Sequence, residues 1–234
     1  MNLQSAPPSR VLVVDDDLTV RDVVRRYLEL AGHQVALADN GEDALAWVAR
    51  DAPDLVVLDL MLPGMDGLEV CRRLRRTSAV PVVMLTALGE EENRIAGLQL
   101  GADDYVTKPF SPRELALRVS SVLRRAGAVI PPVAKVLTDG DLRLDVAART
   151  ATLRGTELAL TVREFELLVF LLSHPGEAFT REQLLEKVWG WDFGDQSTVT
   201  VHVRRLREKI ERVPAKPTRI ATVWGVGYRY DTQA

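Results

Sequence analysis

Residues 10–126 alternate five times between a short apolar segment and an amphipathic helical pattern. The third apolar segment, residues 55–58, is a run of four aliphatic side chains, which is typical of a strand buried on both faces. Strands of this kind belong to parallel sheets, whose helical crossovers cover both faces. The alternation therefore predicts an α/β doubly wound five-stranded parallel sheet, which we assign to residues 10–126.

The pattern changes after residue 126. Residues 127–138 are aperiodic and contain Pro131-Pro132, which indicates a linker. Residues 139–231 carry short alternating runs with a turn at 154–156, two capping boxes that open helices, a further helical pattern and an alternating tail. The boxes begin at Thr161 and Thr180, the second helix is expected to end at Val188, and the third covers about 197–212. Strands, three helices and a terminal hairpin predict an α+β winged helix-turn-helix domain.

The formal charge of −3 conceals a difference between the two halves of the chain. Residues 1–126 contain 15 basic and 19 acidic side chains, a charge of −4, whereas residues 127–234 contain 15 and 14, a charge of +1. The single cysteine, Cys71, excludes an intrachain disulfide and predicts a reducing cytoplasm. The amino terminus lacks a signal-peptide pattern, and no apolar run approaches the roughly 18 residues of a membrane span. We therefore expect a cytoplasmic protein with no membrane partner.

Polar side chains follow the predicted strands of the first domain at their carboxyl ends, where open α/β sheets bind ligands. The first strand is followed by Asp15 and Asp16, the third by Asp59, the fourth by Thr86, and the fifth ends near Lys108. Carboxylates this close repel one another unless a cation lies among them. Oxygen donors without histidine or thiolate favour a hard ion such as Mg²⁺.

Asp59 stands alone on the central strand, so we predict that it is a nucleophile that forms an aspartyl phosphate. Asp15 and Asp16 would hold the metal, Lys108 would pair with the phosphoryl oxygens, and Thr86 would hydrogen-bond to one of them. The alternative is that each aspartate only caps the following helix, because Asp is a favoured N-cap. Polar groups at four strand ends, three of them ionisable, favour the phosphate site, since clusters of ionisable groups in clefts are more often functional.

Four motifs carry a resemblance to a known family: Val-Val-Asp-Asp at 13–16, Asp-Leu-Met-Leu-Pro-Gly-Met-Asp-Gly at 59–67, Leu-Thr-Ala at 85–87 and Gly-Ala-Asp-Asp-Tyr-Val-Thr-Lys-Pro-Phe at 101–110. With them, residues 10–125 resemble a response-regulator receiver domain. The resemblance implies that a sensor histidine kinase donates a phosphoryl group to Asp59. It also implies that Asp16, Asp59 and the main-chain carbonyl of Met61 coordinate Mg²⁺, with Asp15 assisting.

The same resemblance implies how phosphorylation is transmitted. Thr86 and its neighbour Ala87 would bind the phosphoryl group. Thr86 and Tyr105 would form a switch pair, in which the hydroxyl moves toward the phosphoryl group and the ring turns inward to fill the space.

Six charged residues could form a homodimer interface in the first domain. Taken alone they would be solvated surface charges, whose pairs contribute about 0–1 kcal/mol. Resemblance to the OmpR/PhoB branch implies instead a two-fold dimer on the fourth and fifth helices and the fifth strand. The implied contacts are Arg94–Glu114, Asp103–Arg118 and Asp104–Arg125.

The helical pattern over 197–212 has an apolar face and a basic face. At 100° per residue the expected buried stripe contains Val199, Val203, Leu206, Ile210 and Val213. The side chains expected away from it are Thr200, Arg204, Arg205 and Arg207, with His202 at the margin. An arginine-rich outer face suits the major groove of DNA, where arginine contacts phosphates or guanine edges. The alternative is an ordinary solvated basic face.

The second half carries three further motifs: Thr-Val-Arg-Glu-Phe-Glu-Leu-Leu at 161–168, Val-His-Val-Arg-Arg-Leu-Arg-Glu-Lys-Ile at 201–210 and Thr-Val-Trp-Gly-Val-Gly-Tyr-Arg-Tyr at 222–230. With them, residues 139–231 resemble the OmpR/PhoB-type winged-helix effector domain. The resemblance implies that 197–212 is the recognition helix and that 222–227, with Thr222 and Trp224, is a wing tip on DNA. It also implies that the loop 189–196 contacts RNA polymerase. Trp224 stands where some relatives have arginine, and Ser197 replaces an arginine common at the helix start.

Three functions compete at this point. The first is a dimeric DNA-binding transcription regulator controlled by phosphorylation rather than an enzyme. The second is a phosphotransferase or phosphatase whose second domain binds protein rather than DNA. Aspartate-nucleophile phosphatases usually carry Asp-x-Asp, whereas Asp59-Leu60-Met61 stands here, which disfavours this alternative. The third is a constitutive DNA binder with a degenerate receiver, which is disfavoured by the intact Asp16, Asp59, Thr86 and Lys108. The first is our prediction.

Overall fold

The structure is a computed structural model that describes residues 8–87, 91–126, 136–190 and 195–233. It divides into two compact units, residues 1–126 and 127–234. None of the helices in these described ranges is long and apolar enough to cross a membrane.

The first unit alternates strands and helices throughout. Its elements are β1 Arg10–Val14, α1 Leu18–Leu30, β2 Gln34–Ala38, α2 Gly41–Asp51, β3 Leu55–Asp59, α3 Gly67–Thr77, β4 Val82–Ala87, α4 Glu91–Leu100, β5 Asp104–Lys108 and α5 Pro112–Ala126. The strands pair in parallel in the order β2-β1-β3-β4-β5. This order confirms the predicted doubly wound five-stranded sheet. Because the order reverses between β1 and β3, the carboxyl ends of these two strands border the crevice where such sheets bind ligands.

The buried core of the first unit lies on both faces of this sheet. All five residues of β3 are buried, as a central parallel strand requires. Gly67, the first residue of α3, permits a close approach to β3, because a Cβ there would overlap the carbonyl oxygen of Asp59. The helix therefore begins directly beside the carboxyl end of the central strand.

The second unit has two antiparallel sheets around a helical core. Its elements are β6 Val136–Asp139, β7 Leu142–Asp145, β8 Thr150–Leu153, β9 Thr156–Glu157, α6 Val162–Leu172, β10 Ala178–Thr180, α7 Arg181–Leu184, a π-helical turn Leu185–Trp189, α8 Ser197–Ile210, β11 Ile220–Val223 and β12 Gly227–Tyr230. The sheets have the orders β6-β7-β8-β9 and β10-β12-β11. Both predicted capping boxes form, at Thr161 with Glu164 and at Thr180 with Gln183. The predicted winged helix-turn-helix architecture is confirmed.

Two local expectations for the second unit differ from the structure. β6 begins at Val136, inside the segment expected to be linker, because residues 136–139 pair with β7. Trp189 is not in a loop: it ends the π-helical turn and is fully buried in the core. Residues 191–194 of the same predicted loop lie outside the described residues.

The end of α8 also differs from the expectation. The helix stops at Ile210, because Glu211 is extended and its carboxylate accepts the backbone N–H groups of Thr218, Arg219 and Ile220. Val213 therefore lies beyond the helix and is 50% exposed, so its assignment to the buried stripe is wrong. The same contacts tie the end of α8 to the first strand of the terminal hairpin.

Candidate functional sites

Three carboxylates from two strand ends meet at the crevice between β1 and β3. One oxygen from each of Asp15, Asp16 and Asp59 lies within 4.8 Å of the others. Asp15 and Asp59 are buried and Asp16 is exposed, so the group opens to solvent on one side. The structure thus brings together the acids that the sequence placed on separate segments.

The caps of the neighbouring helices come from other residues. The side chain of Asp17 caps α1, accepting the backbone N–H of Thr19 at 2.7 Å. These hydrogen bonds hold the pKa of Asp17 below its ordinary value. Asp66 caps α3, accepting the N–H of Glu69 at 2.7 Å. Because α1 and α3 have these caps, capping does not explain Asp15, Asp16 or Asp59.

Lys108 is the cation of the crevice. Its Nζ lies 2.8 Å from Oδ2 of Asp15 and 2.9 Å from Oδ2 of Asp59. Burial alone would lower the pKa of Lys108, but the two carboxylates raise it overall. The peptide bond that follows, Lys108–Pro109, is cis. One ammonium charge therefore faces two buried carboxylates.

The charge of Asp59 is incompletely stabilised in this arrangement. Burial raises the pKa of Asp59, and Asp15 adds to the increase, whereas Lys108 and a hydrogen bond from the backbone of Met61 lower it. The net result is a pKa above the ordinary value. Oδ1 of Asp59 is buried and has no hydrogen-bond partner among the described residues. An additional cation would stabilise the negative charge of Asp59 and would give its Oδ1 a partner. Because all the donors are oxygen atoms, the group fits a hard divalent ion.

The predicted switch residues lie on the two strands that follow β3 across the sheet. Thr86 on β4 is 1% exposed, and its Oγ1 also lacks a hydrogen-bond partner among the described residues. Ala87, the last residue of β4, is partly exposed. Tyr105 on β5 is 8% exposed, so its ring is already turned into the protein. Thr86 thus offers a buried hydroxyl that no described residue uses.

The predicted dimer residues make different contacts within one chain. Asp103 is fully buried, and its Oδ2 accepts the backbone N–H of Val82 at 3.0 Å and Nη2 of Arg75 at 3.1 Å. Arg118, also buried, lies 3.2 Å from Asp104 and 2.8 Å from Glu114. The side chains of Arg94 and Arg125 lie outside the described residues. The three interchain contacts remain a prediction.

In the second unit, α8 presents only part of the expected basic face. Arg204 is well exposed, with 64% of its side chain accessible, and Thr200 is exposed. Arg207 is half-buried and donates to the carbonyl of Ile220 and, at 2.8 Å, to the hydroxyl of Thr222. At the tip of the hairpin formed by β11 and β12, Trp224 is 90% exposed.

Two residues expected near or on that face are buried instead. His202 is fully buried and packs edge-on against the ring of Trp189, with centroids 5.1 Å apart. Arg205 is 6% exposed and lies 2.8 Å from Glu164 of α6. The expectation that Arg205 faces outward and that His202 lies at the margin is wrong, because α6 and the π-helical turn cover a wider arc of α8 than its aliphatic stripe.

Sequence reasoning missed Arg181 on α7 and Tyr228 on β12. Arg181 donates from Nε to Oγ1 of Thr200 at 3.2 Å, and its guanidinium lies 5.1 Å from the centroid of the Tyr228 ring. No local pattern marks Arg181, which occupies the first position after a capping threonine. The contacts join residues 19 and 47 positions apart, so they emerge only in the folded chain.

Comparison with known proteins covers both units. Residues 11–120 match the family described as response regulator receiver domain, and residues 155–230 match the family described as transcriptional regulatory protein, C terminal. The chain is 46% identical over 233 residues to the transcriptional regulatory protein ResD of Bacillus subtilis, with 97% of each chain covered. It is 44% identical over 223 residues to the sensory transduction protein RegX3 of Mycobacterium tuberculosis, with 94% of this chain and 98% of the relative covered.

A solved structure agrees with these relatives. The response regulator DrrB, an OmpR/PhoB homolog of Thermotoga maritima, is 37% identical and superposes with a TM-score of 0.52. The alignment covers 96% of this chain and 99% of that chain. Both domain types and their order along the chain are therefore shared with known proteins.

Proposed function

Since the chain belongs to the OmpR/PhoB family of two-component response regulators, we propose that Asp59 is its phosphoacceptor and that phosphorylation controls DNA binding. A protein with a receiver domain and a DNA-binding domain is a transcription regulator rather than a dedicated enzyme, and it implies a histidine kinase and DNA as partners. We place this regulator in the cytoplasm, where kinase and promoter DNA are both accessible.

The observation that carries the proposal is the environment of Asp59. One of its oxygens faces Lys108 at 2.9 Å, and the other is buried without a hydrogen-bond partner among the described residues. An oxygen of Asp59 attacks the phosphorus of a phosphohistidine, a P–O bond forms, and the P–N bond breaks with its electron pair leaving on the histidine nitrogen. Lys108 then pairs with the phosphoryl oxygens, and its charge offsets the negative charge that they add.

Mg²⁺ is the cofactor that the acidic group fits. Asp15, Asp16 and Asp59 would hold it, together with the main-chain carbonyl of Met61 that the family resemblance implies. When bound, the ion neutralises carboxylate charge and stabilises the negative charge of a transferring phosphoryl group.

Transmission of the signal begins at Thr86. Its buried hydroxyl can donate to a phosphoryl oxygen, while the backbone of Ala87 borders the same position at the end of β4. When Thr86 moves toward the phosphoryl group it leaves space behind it. The ring of Tyr105, which is already buried, fills that space. The face of α4, β5 and α5 then pairs with a second copy through the predicted contacts Arg94–Glu114, Asp103–Arg118 and Asp104–Arg125.

The dimer would present two recognition helices to promoter DNA. Thr200, Arg204 and Arg207 of α8 supply the groove-facing polar surface, and Thr222 and Trp224 belong to the wing. His202 and Arg205 support α8 from within the domain rather than touching DNA. The segment 189–196 remains the proposed contact for RNA polymerase, with the buried Trp189 as its anchor.

The test is phosphorylation by a small-molecule donor. Full-length protein incubated with radiolabelled acetyl phosphate and Mg²⁺ is expected to become labelled, and Asp59→Asn is expected to abolish the label. Asp66→Asn is the matched control, because Asn also caps a helix and α3 should remain intact. Labelling of Asp59→Asn at the wild-type level would reject Asp59 as the acceptor.

A further inference from the structure

Arg21, in the first turns of α1, hydrogen-bonds to the backbone beside the acidic crevice. Its Nη1 donates to the carbonyl oxygen of Asp15 at 2.5 Å and to that of Asp16 at 3.3 Å. The backbone N–H of Arg21 donates to the carbonyl oxygen of Asp17 at 3.0 Å. One residue of α1 therefore holds three successive carbonyl groups of the turn that joins β1 to α1.

These contacts fix the backbone conformation of Asp16. The carbonyl of Asp15 belongs to the peptide plane before the Cα of Asp16, and the carbonyl of Asp16 belongs to the plane after it. Because only φ and ψ of Asp16 connect these two planes, fixing the direction of both carbonyl groups fixes both angles. The Cα–Cβ bond of Asp16 then has one direction, toward the group that its carboxylate forms with Asp15 and Asp59.

Asp16 depends on its backbone more than the other two acids do. The carboxylate of Asp15 accepts a backbone N–H at 2.9 Å through Oδ1, and its Oδ2 lies 2.8 Å from Lys108. Lys108 also holds Asp59, at 2.9 Å. The carboxylate of Asp16 is exposed and makes no hydrogen bond or ion pair with any residue that the structure describes. Its main chain alone positions it, so Asp16 is the acid on which Arg21 acts.

The guanidinium of Arg21 contacts these carbonyl groups although carboxylates are nearby. Arg21 lines a cavity of about 260 Å³ together with Asp39 and Asp43. Both carboxylates accept hydrogen bonds from Nδ2 of Asn40, at 2.7 and 2.9 Å, and neither forms an ion pair with Arg21. A guanidinium beside carboxylates usually pairs with one of them. Its contact with two carbonyl oxygens indicates that it stabilises the turn rather than a neighbouring charge.

We infer that Arg21 is a positioning residue for Mg²⁺: by holding the carbonyl groups of Asp15 and Asp16, it directs the carboxylate of Asp16 to the metal. This inference rests on the proposed Mg²⁺ site and adds to it a residue of α1 that does not itself bind the ion. Residues that orient metal ligands typically change the affinity for the metal about 10–100-fold when they are replaced.

The positive charge of Arg21 would have the opposite effect on metal binding. Arg21 is a cation close to a site for a cation, and like charges repel. If only its charge mattered, removing it would strengthen the binding of Mg²⁺. A positioning role predicts weaker binding, because the exposed carboxylate of Asp16 would then also point away from the metal. The sign of the change in affinity therefore separates the two roles.

The test is the affinity of the full-length protein for Mg²⁺ alone, measured by isothermal titration calorimetry. Arg21→Gln is expected to weaken binding about tenfold or more. Arg26→Gln is the matched control, because it removes the same charge from an exposed position of α1 that makes no hydrogen bond or ion pair with a described residue. It should leave the affinity unchanged. The rise of the melting temperature with added Mg²⁺ gives an independent measure of binding for each variant.

Labelling by acetyl phosphate provides a second readout. At a Mg²⁺ concentration that half-saturates the wild type, Arg21→Gln should be labelled more slowly than the wild type. Once Mg²⁺ saturates the variant, its labelling rate should approach that of the wild type, because only metal binding is impaired. A rate that stays low at saturating Mg²⁺ would indicate general damage to the site and would overturn the inference.

The remaining outcomes are distinct from one another. An unchanged or tighter Mg²⁺ affinity for Arg21→Gln would overturn the inference, and a lower melting temperature beside unchanged affinity would assign Arg21 a structural role only. Equal weakening by Arg26→Gln would attribute the effect to overall charge and would also overturn it. If the wild type binds no Mg²⁺, or if Asp16→Asn binds it as tightly as the wild type, the proposed metal site itself is rejected.

Discussion

The guanidinium of Arg205 lies 2.8 Å from the carboxylate of Glu164, and both side chains are buried between α6 and α8. The same carboxylate accepts the backbone N–H of Thr161 at 2.7 Å and a hydrogen bond from Lys209 at 2.6 Å. Glu164 therefore completes the capping box of α6 and also anchors α8. The orientation of the outer face of α8 depends on this buried contact.

Removing Arg205 is expected to destabilise the second domain. Arg205→Ala deprives a fully buried carboxylate of one of its two cations, and breaking buried pairs costs about 3–5 kcal/mol. Chemical denaturation followed by circular dichroism measures the change in unfolding free energy. The adjacent Arg204→Ala is the control, because its pair with Glu208 is exposed and contributes about 0–1 kcal/mol. Equal losses for the two variants would contradict the buried role of Arg205.

The stability of the second domain should depend on pH through Glu164. Burial alone would raise the pKa of this carboxyl, but Arg205 and Lys209 lower it below its ordinary value of 4.5. A group with a lowered pKa in the folded state stabilises the fold above the unfolded value, and this contribution is lost as pH falls through the folded value. Denaturation midpoints between pH 6 and pH 3 should therefore fall less steeply for Glu164→Gln than for the wild type. Parallel curves would exclude Glu164 as the titrating group.

Replacing Thr86 by valine should separate stability from signalling. The hydroxyl of Thr86 is buried without a hydrogen-bond partner in the described structure, so removing it should leave the unphosphorylated fold unchanged or slightly more stable. Labelling of Asp59 should persist. Phosphorylation-dependent dimerisation should weaken, because the phosphoryl group can no longer form a hydrogen bond with the hydroxyl of residue 86. Analytical ultracentrifugation with and without acetyl phosphate measures this. A variant that dimerises as the wild type does would remove Thr86 from the switch.

Arg204→Ala should weaken DNA binding without unfolding the domain. The side chain is exposed on the outer face of α8, and a lost arginine contact to a base or phosphate typically costs about 1–3 kcal/mol. Electrophoretic mobility shift with duplexes selected by the wild-type protein gives the change in affinity. Arg212→Ala provides a control, since Arg212 follows the end of the helix and is exposed. Unaltered binding by Arg204→Ala would place that residue outside the interface.

The acidic site at the strand ends can be predicted from the sequence, because each acid directly follows its own strand. Parallel strands deliver their carboxyl ends to one edge, so the sequence alone predicts that Asp15, Asp16, Asp59 and Lys108 lie close together. The capping boxes at Thr161 and Thr180 can also be predicted from the sequence, because the partner of each threonine lies only three residues further along the chain. Predictions of this kind need only local geometry and the order of the strands.

The outer face of α8 was harder to predict. A helical projection locates an aliphatic stripe, but it does not reveal that α6 offers a carboxylate to Arg205 or that Trp189 packs on His202. The helix also ends earlier than its pattern predicts, because Glu211 leaves the helix and accepts hydrogen bonds from backbone groups seven to nine residues later. In each case the contact that fixes the residue involves a partner that is distant in sequence or does not belong to the aliphatic stripe of α8.

Periodicity and short motifs in the amino-acid sequence determined the two folds, the acidic crevice and the identity of its lysine, since these depend on neighbours within a few residues and on the direction of parallel strands. Only the tertiary structure decided which arginines of α8 are buried and which are exposed. The physical reason is that Arg205 is buried where a distant segment supplies its counter-charge, Glu164, and no pattern within α8 reveals that partner.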